Sequence, residues 1–314
     1  MNLVTGGNGF VGRALCTALA DRGERVVSAV RKPTTMNDVQ VGDLDGKTDW
    51  RLALRGCEVV YHLAARVHVM SDDEIDPLSA YREVNVVGTL NLARQAVVAG
   101  VRRFIFVSSV KVNGESTTTQ HFGSSDAPGP CDPYGQSKME AEQALQKLGE
   151  ETGLEVVIVR PPLVYGPGVK ANFLNLIKLV KVGIPLPFGS VHNRRSMVAL
   201  DNLVDLLIVC GNHPKAAGKI FMVSDGVDMG IDELVARIAD AMHKRVLILP
   251  FPPFLIVLLA KLLGRRAVAD RLLDSLQVDI SDTRTILGWQ PVVTPQAAIK
   301  QTVEHFFLVN GRSK

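Results

Sequence analysis

Tyr134 and Lys138 stand four residues apart, the spacing that puts two side chains on one face of a helix. Ala141, Leu145 and Leu148 supply the apolar stripe of that helix, read over Pro133 to Glu151. A free phenol has a pKa of about 10, so on the order of 0.1% is ionised at neutral pH. A nearby ammonium or pyridinium charge is expected to lower it by a few units, each worth about 1.4 kcal/mol. Tyr134 would then act as general acid or base for an alcohol and carbonyl pair. Y-x-x-x-K is commonplace by itself. It gains weight from Ser108 and Ser109, which follow an apolar strand where a hydroxyl can reach the same oxygen, and from a glycine turn upstream.

That turn is Gly6-Gly7-Asn8-Gly9-Phe10-Val11-Gly12, a G-x-x-G-x-x-G spacing directly after a strand and opening a helix. Glycines at 6, 9 and 12 let the backbone turn sharply and approach a pyrophosphate, whose charge the helix N–H groups then stabilise. A dinucleotide is expected there. About 20 residues further on, NAD binders carry an acid that meets the adenosine ribose. This chain has Ala29-Val30-Arg31-Lys32 instead, and two cations would attract a 2′-phosphate. NADP is therefore the first expectation and NAD the alternative.

These residues need a scaffold of strands and helices in alternation. Asn2 to Thr5, Val26 to Val30, Val59 to Leu63, Phe104 to Val107 and Val156 to Val159 read as buried strands. Val11 to Asp21, Ser79 to Ala99 and Pro133 to Glu151 read as helices, closed by Gly23, Gly100 and Gly153. The expected fold is α/β: a Rossmann-type doubly wound parallel sheet with a smaller C-terminal α/β substrate lobe. Residues 1–168 would form the dinucleotide-binding domain and 169–314 the lobe, with helices at Phe173 to Val182, Asp201 to Cys210 and Ile231 to Met242. Some of the later segments, such as a strand at Ile220 to Val223, are expected to return to the first sheet.

Composition narrows the partners. The chain has 314 residues, 46% of them hydrophobic, and a net charge of +3, too small to predict nucleic-acid binding. Cys16, Cys57, Cys131 and Cys210 form no C-x-x-C pair, and His62, His68, His121 and His192 lack metal-ligand spacing. No metal site is expected, and each imidazole reads as structural or surface. The first residues run straight into a strand, so no export signal is expected and a reducing cytoplasm fits. The apolar stretch Leu247 to Gly264 is broken by Pro250, Pro252 and Pro253, leaving too little to span a bilayer. Phe254 to Leu263 is expected as a buried helix of the lobe, the alternative being an in-plane anchor followed by Arg265 and Arg266.

Several motifs together resemble the extended short-chain dehydrogenase/reductase family, also called the NAD-dependent epimerase/dehydratase family, along essentially the whole chain. They are Thr5 through Gly12, Gly42-Asp43-Leu44, His62-Leu63-Ala64-Ala65, Asn85-Val86-Val87-Gly88-Thr89, Val107-Ser108-Ser109, Tyr134-Gly135-Gln136-Ser137-Lys138, and Arg160-Pro161-Pro162-Leu163-Val164-Tyr165-Gly166. The resemblance implies a catalytic triad of Ser109, Tyr134 and Lys138, with Lys138 also on the nicotinamide ribose. It implies that Asp43 and Leu44 border the adenine and that Ala64 and Ala65 line the ribose. Phe10, Val11, Arg31, Asn85, Pro161 and Val164 complete the implied cofactor set. Asn172 and Arg195 would contact the diphosphate of a nucleotide sugar, a task suited to a guanidinium. Relatives commonly dimerise through helices equivalent to Ser79 to Ala99 and Pro133 to Glu151, so a homodimer is implied.

Asn113 stands where sugar epimerases usually place tyrosine, and Leu163 replaces a residue that is often polar. The stretches Ser109 to Glu115, Ser275 to Ser281 and Leu287-Gly288-Trp289 look most like bacterial enzymes that interconvert UDP-N-acetylquinovosamine and its 4-keto-6-deoxy precursor. The first expectation is thus a reductase that passes hydride to C4 of a UDP-4-keto-6-deoxy-N-acetylhexosamine. The alternative is a UDP-hexose or UDP-N-acetylhexosamine 4-epimerase, and a third reading is a dinucleotide binder without turnover. Dehydration is disfavoured, since Val110 and Lys111 occupy the place of the acidic pair that dehydratases carry.

Overall fold

The computed structural model describes residues 1–35, 38–67, 76–262, 270 and 272–311. Leu3, Val4, Val60, Phe104, Ile105 and Val157 are fully buried, as expected of strands covered on both faces. The strands are β1 (Asn2–Thr5), β2 (Val26–Val30), β3 (Asp38–Gln40), β4 (Val59–His62), β5 (Arg103–Val107) and β6 (Glu155–Arg160). β7 (Leu163–Tyr165), β8 (Met197–Ala199) and β9 (Ile220–Met222) follow. The main sheet has seven strands in the order β3-β2-β1-β4-β5-β6-β9, and β7 pairs with β8 separately. Every pairing is parallel. The strand order reverses between β1 and β4, so a crevice opens beyond the carboxyl ends of those strands.

The helices of the first part are α1 (Phe10–Asp21), α2 (Arg51–Leu54), α3 (Pro77–Arg82), α4 (Thr89–Val98) and α5 (Pro133–Thr152). α6 (Ala171–Val182), α7 (Leu200–Asn212), α8 (Ile231–Ala241) and α9 (Pro253–Leu262) come next, then helices Ser281–Leu287 and Pro295–Gly311. The helix expected from Ser79 to Ala99 begins earlier, at Pro77, because the Asp76 carboxylate accepts the Ser79 N–H at 3.2 Å. Its middle, Glu83–Gly88, is π-helical. Such a bulge is a local departure from the 3.6 period and often marks a functional site.

One core lies between the sheet and α1 with α7, and joins Leu15, Ile105 and Val159 to Leu203, Leu207 and Phe221. The opposite face packs Leu3, Phe104 and Phe106 under Leu92, Ala96 and Leu145. A separate core in the lobe gathers Phe173, Ile177, Met197, Val235, Ile238 and Val303. The expectation of a buried helix after Pro253 is corrected: Phe254 is 68% and Leu262 75% exposed. Ile256 packs against the lobe core and its neighbours Leu255 and Val257 are half-buried, so one stripe seats the helix while the opposite stripe faces out. Leu263, Gly264, Arg265, Arg266 and His68 lie outside the described residues. All four cysteines are free. Among the described residues no metal-holding cluster occurs, and no helix is long and apolar enough to cross a membrane.

Candidate active site

Thr5 closes β1 and anchors the crevice. Its hydroxyl oxygen accepts the N–H groups of Leu63 (3.2 Å) and Ala64 (3.1 Å), so its own proton goes to His62 Nδ1 at 2.7 Å. The His62 Nε2–H then donates to Thr89 Oγ1 at 2.9 Å. Burial, with the Lys138 charge adding, pushes the imidazole pKa down to about 3. His62 is therefore a neutral structural tie between β4 and α4.

The glycine turn follows. Gly6 adopts φ +67°, and a Cβ there would sit 3.1 Å from the Ala64 nitrogen. At Gly12 a Cβ would fall 2.2 Å from the Gly6 carbonyl oxygen. Gly9 caps α1 without any side-chain hydrogen bond, which leaves the first N–H groups of the helix, at Phe10 and Val11, available to an anion. The Phe10 and Val11 side chains pack against the core, so the backbone is what this turn offers. A cradle a side chain would fill, beside uncapped donors, fits the pyrophosphate of a dinucleotide.

At the end of β2, Arg31 is exposed and lies 3.9 Å from the equally exposed Asp43 carboxylate. Asp43 thus supplies near this edge the acid that β2 lacks. Leu44 follows it, with its backbone so close to Gly88 that a Cβ there would meet it at 3.0 Å. Asn85, one of the expected cofactor residues, is buried at 1% exposure. Its amide accepts the Arg66 N–H (2.9 Å) and donates to the Arg66 carbonyl (3.0 Å) and Ser137 Oγ (3.0 Å). The side chain is spent on fixing the segment that carries Ala64 and Ala65 against α5.

Asp132 starts α5 by accepting the Gly135 N–H at 2.6 Å, and Pro133 takes the first helical position. Lys111 holds that carboxylate and also Glu115, at 2.7 Å. Gly135 is required here because a Cβ would meet the Lys111 carbonyl at 2.7 Å. This close approach brings Tyr134 to the turn Val110–Val112, which Ser109 caps with its Oγ accepting the Lys111 N–H at 3.2 Å. The Ser109 hydroxyl proton stays free to donate. The Pro161 carbonyl, at the end of β6, accepts the Val110 N–H at 3.0 Å and ties this turn to β7, where Val164 pairs with Val198. Ser108 Oγ beside it is buried without a partner.

Lys138 lies one turn below Tyr134, fully buried, with Nζ donating to the Val107 carbonyl at 2.9 Å and 4.3 Å above the Phe106 ring. Burial, opposed by Glu142, brings its pKa down to about 7. The Tyr134 phenol moves contrary to expectation: burial pushes its pKa up, with Asp132 and Tyr81 adding. The Tyr81 ring stands edge-on to it at 6.0 Å, and Lys138 is aimed at a carbonyl, so the protein's own groups favour the protonated phenol.

Arg160 and Glu142 form an ion pair with both side chains 2% exposed, closed at 2.5 Å, and Arg160 Nη1 donates to Asn113 Oδ1 at 3.0 Å. The pair escapes sequence reasoning, since nothing in the spacing marks it. In the lobe, Asn172 sits in the first turn of α6, and Arg195 is half-buried, with Nη1 donating to the Asp274 carbonyl at 2.8 Å. Arg195 backbone bridges to Met229 and Leu276 fix its position. The structure places Ser109 and the Lys138 ammonium at the end of β5, with Tyr134 one turn before Lys138 on α5, and the glycine turn with Ala64 at the end of β1.

A family model for the NAD dependent epimerase/dehydratase family matches residues 2–224. The chain belongs to that family. A UDP-glucose 4-epimerase of Vibrio cholerae is 49% identical over 316 residues, covering 99% of this chain and 96% of the relative. A second UDP-glucose 4-epimerase, from Mycolicibacterium smegmatis, is 31% identical, covering 97% of each chain. Among solved structures, MoeE5 in complex with UDP-glucose and NAD superposes with a TM-score of 0.79 at 24% identity, over 98% of this chain and 99% of its own. UDP-glucuronic acid 4-epimerase from Bacillus cereus in complex with NAD gives 0.78 at 20% identity, with the same coverage. The family carries an epimerase/dehydratase fold on which the Vibrio relative is an epimerase, so the narrower likeness to quinovosamine enzymes is not what these relatives support. Both solved neighbours hold NAD, and NADP as first choice finds no support in them.

Proposed function

We propose that this chain is an NAD-dependent 4-epimerase of UDP-hexoses, with UDP-glucose and its N-acetylated counterpart as the substrates to try first. The observation that carries the reading is the 49% identity, across nearly the full chain, with the Vibrio cholerae UDP-glucose 4-epimerase, in a chain that carries Ser109 after β5 and Tyr134 with Lys138 on α5. When bound, the nicotinamide would take a hydride from C4 and return it to the opposite face of the ring. Tyr134 would accept the proton of the C4 hydroxyl and give it back to the same oxygen, while the free Ser109 proton bonds that oxygen. The positive charge of the bound pyridinium, with Lys138, would oppose the burial that favours the neutral phenol, and Lys138 would hold the cofactor ribose. Asn172 and Arg195 are proposed for the diphosphate. A homodimer through α4 and α5 and a cytoplasmic setting belong to the same proposal.

Two features of the sequence point toward a reductase, and each has another reading that supports the epimerase. The Asp43 carboxylate beside Arg31 would repel a 2′-phosphate, which supports NAD. Asn113, in place of tyrosine, is buried in the Arg160 network and donates to the Gly123 carbonyl at 3.2 Å, so its identity serves packing. The test is incubation with UDP-glucose and UDP-N-acetylglucosamine, separation of the C4 epimers, and absorbance at the nicotinamide band. Conversion without net cofactor change is expected. Stoichiometric oxidation of reduced cofactor on adding a UDP-4-keto-6-deoxy sugar, with no epimer formed, would replace this reading with the reductase.

A further inference from the structure

α9 presents Phe254, Leu258, Lys261 and Leu262 at i, i+4, i+7 and i+8, which is one helical face. That face is turned outward: Leu258 is 49% exposed, and Phe254 and Leu262 more so. Just before it in the chain, Leu249 N–H donates to the Leu186 carbonyl and Leu186 N–H to the Leu247 carbonyl, both at 2.8 Å. This bridge brings exposed Val182 and Ile184 alongside exposed Leu247 and Leu249. The lobe thus exposes apolar side chains both on α9 and on the bridged segments before it in the chain, a kind of surface that marks an interaction site.

Its cations are concentrated in two stretches, with exposed Asp240 at the margin of one of them. No Asp or Glu occurs between Glu155 and Asp201, or between Asp240 and Leu262. Lys178, Lys181, Lys244, Arg245 and Lys261 are exposed along the same stretches, and Lys244 Nζ reaches back to the Lys181 carbonyl at 2.7 Å. In a chain whose net charge is only +3, this is a local concentration. A second copy docking here by a two-fold axis would set these cations against themselves. An anionic bilayer supplies both complements, acyl chains for the apolar face and phosphates for the cations. We propose that the lobe docks in the plane of an anionic membrane surface through α9 and the Val182–Leu249 bridge, whatever sugar the enzyme turns over.

The test is co-sedimentation of the full chain with vesicles of phosphatidylglycerol and phosphatidylethanolamine, against vesicles of phosphatidylcholine. Pelleting with the anionic vesicles is expected, weaker by about tenfold with phosphatidylcholine or at high salt. Phe254→Ser with Leu258→Ser should lose about tenfold of the binding while circular dichroism and sugar turnover stay unchanged. Should that variant not fold, Arg245→Glu with Lys261→Glu, both at exposed positions, should lose as much. No pelleting of the unaltered chain on anionic vesicles overturns the proposal, as does equal pelleting of the folded variants. A concentration-dependent dimer that the double variant abolishes, without vesicle binding, would assign the face to a second copy and overturn it as well.

Discussion

Lys138 gives up much of its hold on a proton when the chain folds, because burial takes its pKa from 10.5 to about 7. Between those two values the unfolded chain binds the proton that the folded chain has released, so stability rises with pH across the window. Tyr134 opposes this only above pH 10, where the unfolded phenol ionises and the buried one does not. The unfolding free energy of the wild type minus that of Lys138→Met should therefore grow from pH 7 to pH 10, by on the order of a few kcal/mol. Urea titrations at each pH measure it, and a flat difference would mean that the ammonium stays charged in the fold. Tyr134→Phe removes the proton carrier but keeps the ring against Tyr81. It should lower turnover about 10²- to 10⁴-fold, with NAD affinity nearly unchanged when measured by calorimetry. Retained turnover would assign the proton to another group.

The turn from β1 into α1 is the element with least room for change. A Cβ at Gly12 meets backbone, the Gly6 carbonyl oxygen at 2.2 Å and the Gly7 Cα at 2.9 Å, so no side-chain rotation can relieve it. Gly12→Ala should cost about 1–3 kcal/mol of stability and at least about tenfold in dinucleotide affinity, read by denaturation and calorimetry. Elements of this kind were legible because their signal is local: glycines where the backbone doubles back, and an Asp132-Pro133 cap ahead of an apolar stripe. The π-helical Glu83–Gly88 was not, since it holds Asn85 on the Arg66 backbone, a partner distant in sequence. β3, β7 and β8 have three residues each, too short for a period to show. The outward face of α9 was illegible for another reason: an apolar sequence does not say which of its stripes the core will use. Arg31 and Lys32 suggested a phosphate site because Asp43, which faces Arg31, belongs to a different loop.

At the scale of the molecule, the boundary expected near Gly168 does not divide the main sheet or the core beneath α7. β9 completes the main sheet beside β6, and α7 covers the face that α1 also covers. Arg103, at 1% exposure, pairs with Glu155 at 2.7 Å and aims Nη1 at the carbonyls of Cys210 (2.9 Å) and His213 (2.8 Å), which close α7. Trp289 donates to Asp205 at 3.0 Å, and Asp205 pairs at 2.8 Å with Arg22, the residue that ends α1. A fragment of residues 1–168 would thus leave the β6 edge bare, strip Leu15 and Val159 of their cover, and leave a buried guanidinium short of acceptors. Breaking a buried charge network alone costs about 3–5 kcal/mol, a large share of the roughly 5–15 kcal/mol that stabilises a protein. The full chain should unfold in one transition, coincident by tryptophan fluorescence and circular dichroism, and the fragment should show no cooperative transition. A fragment that melts cooperatively would mean that the first six strands stand without α7 and β9, and the two halves would then be free to move as separate bodies around the substrate.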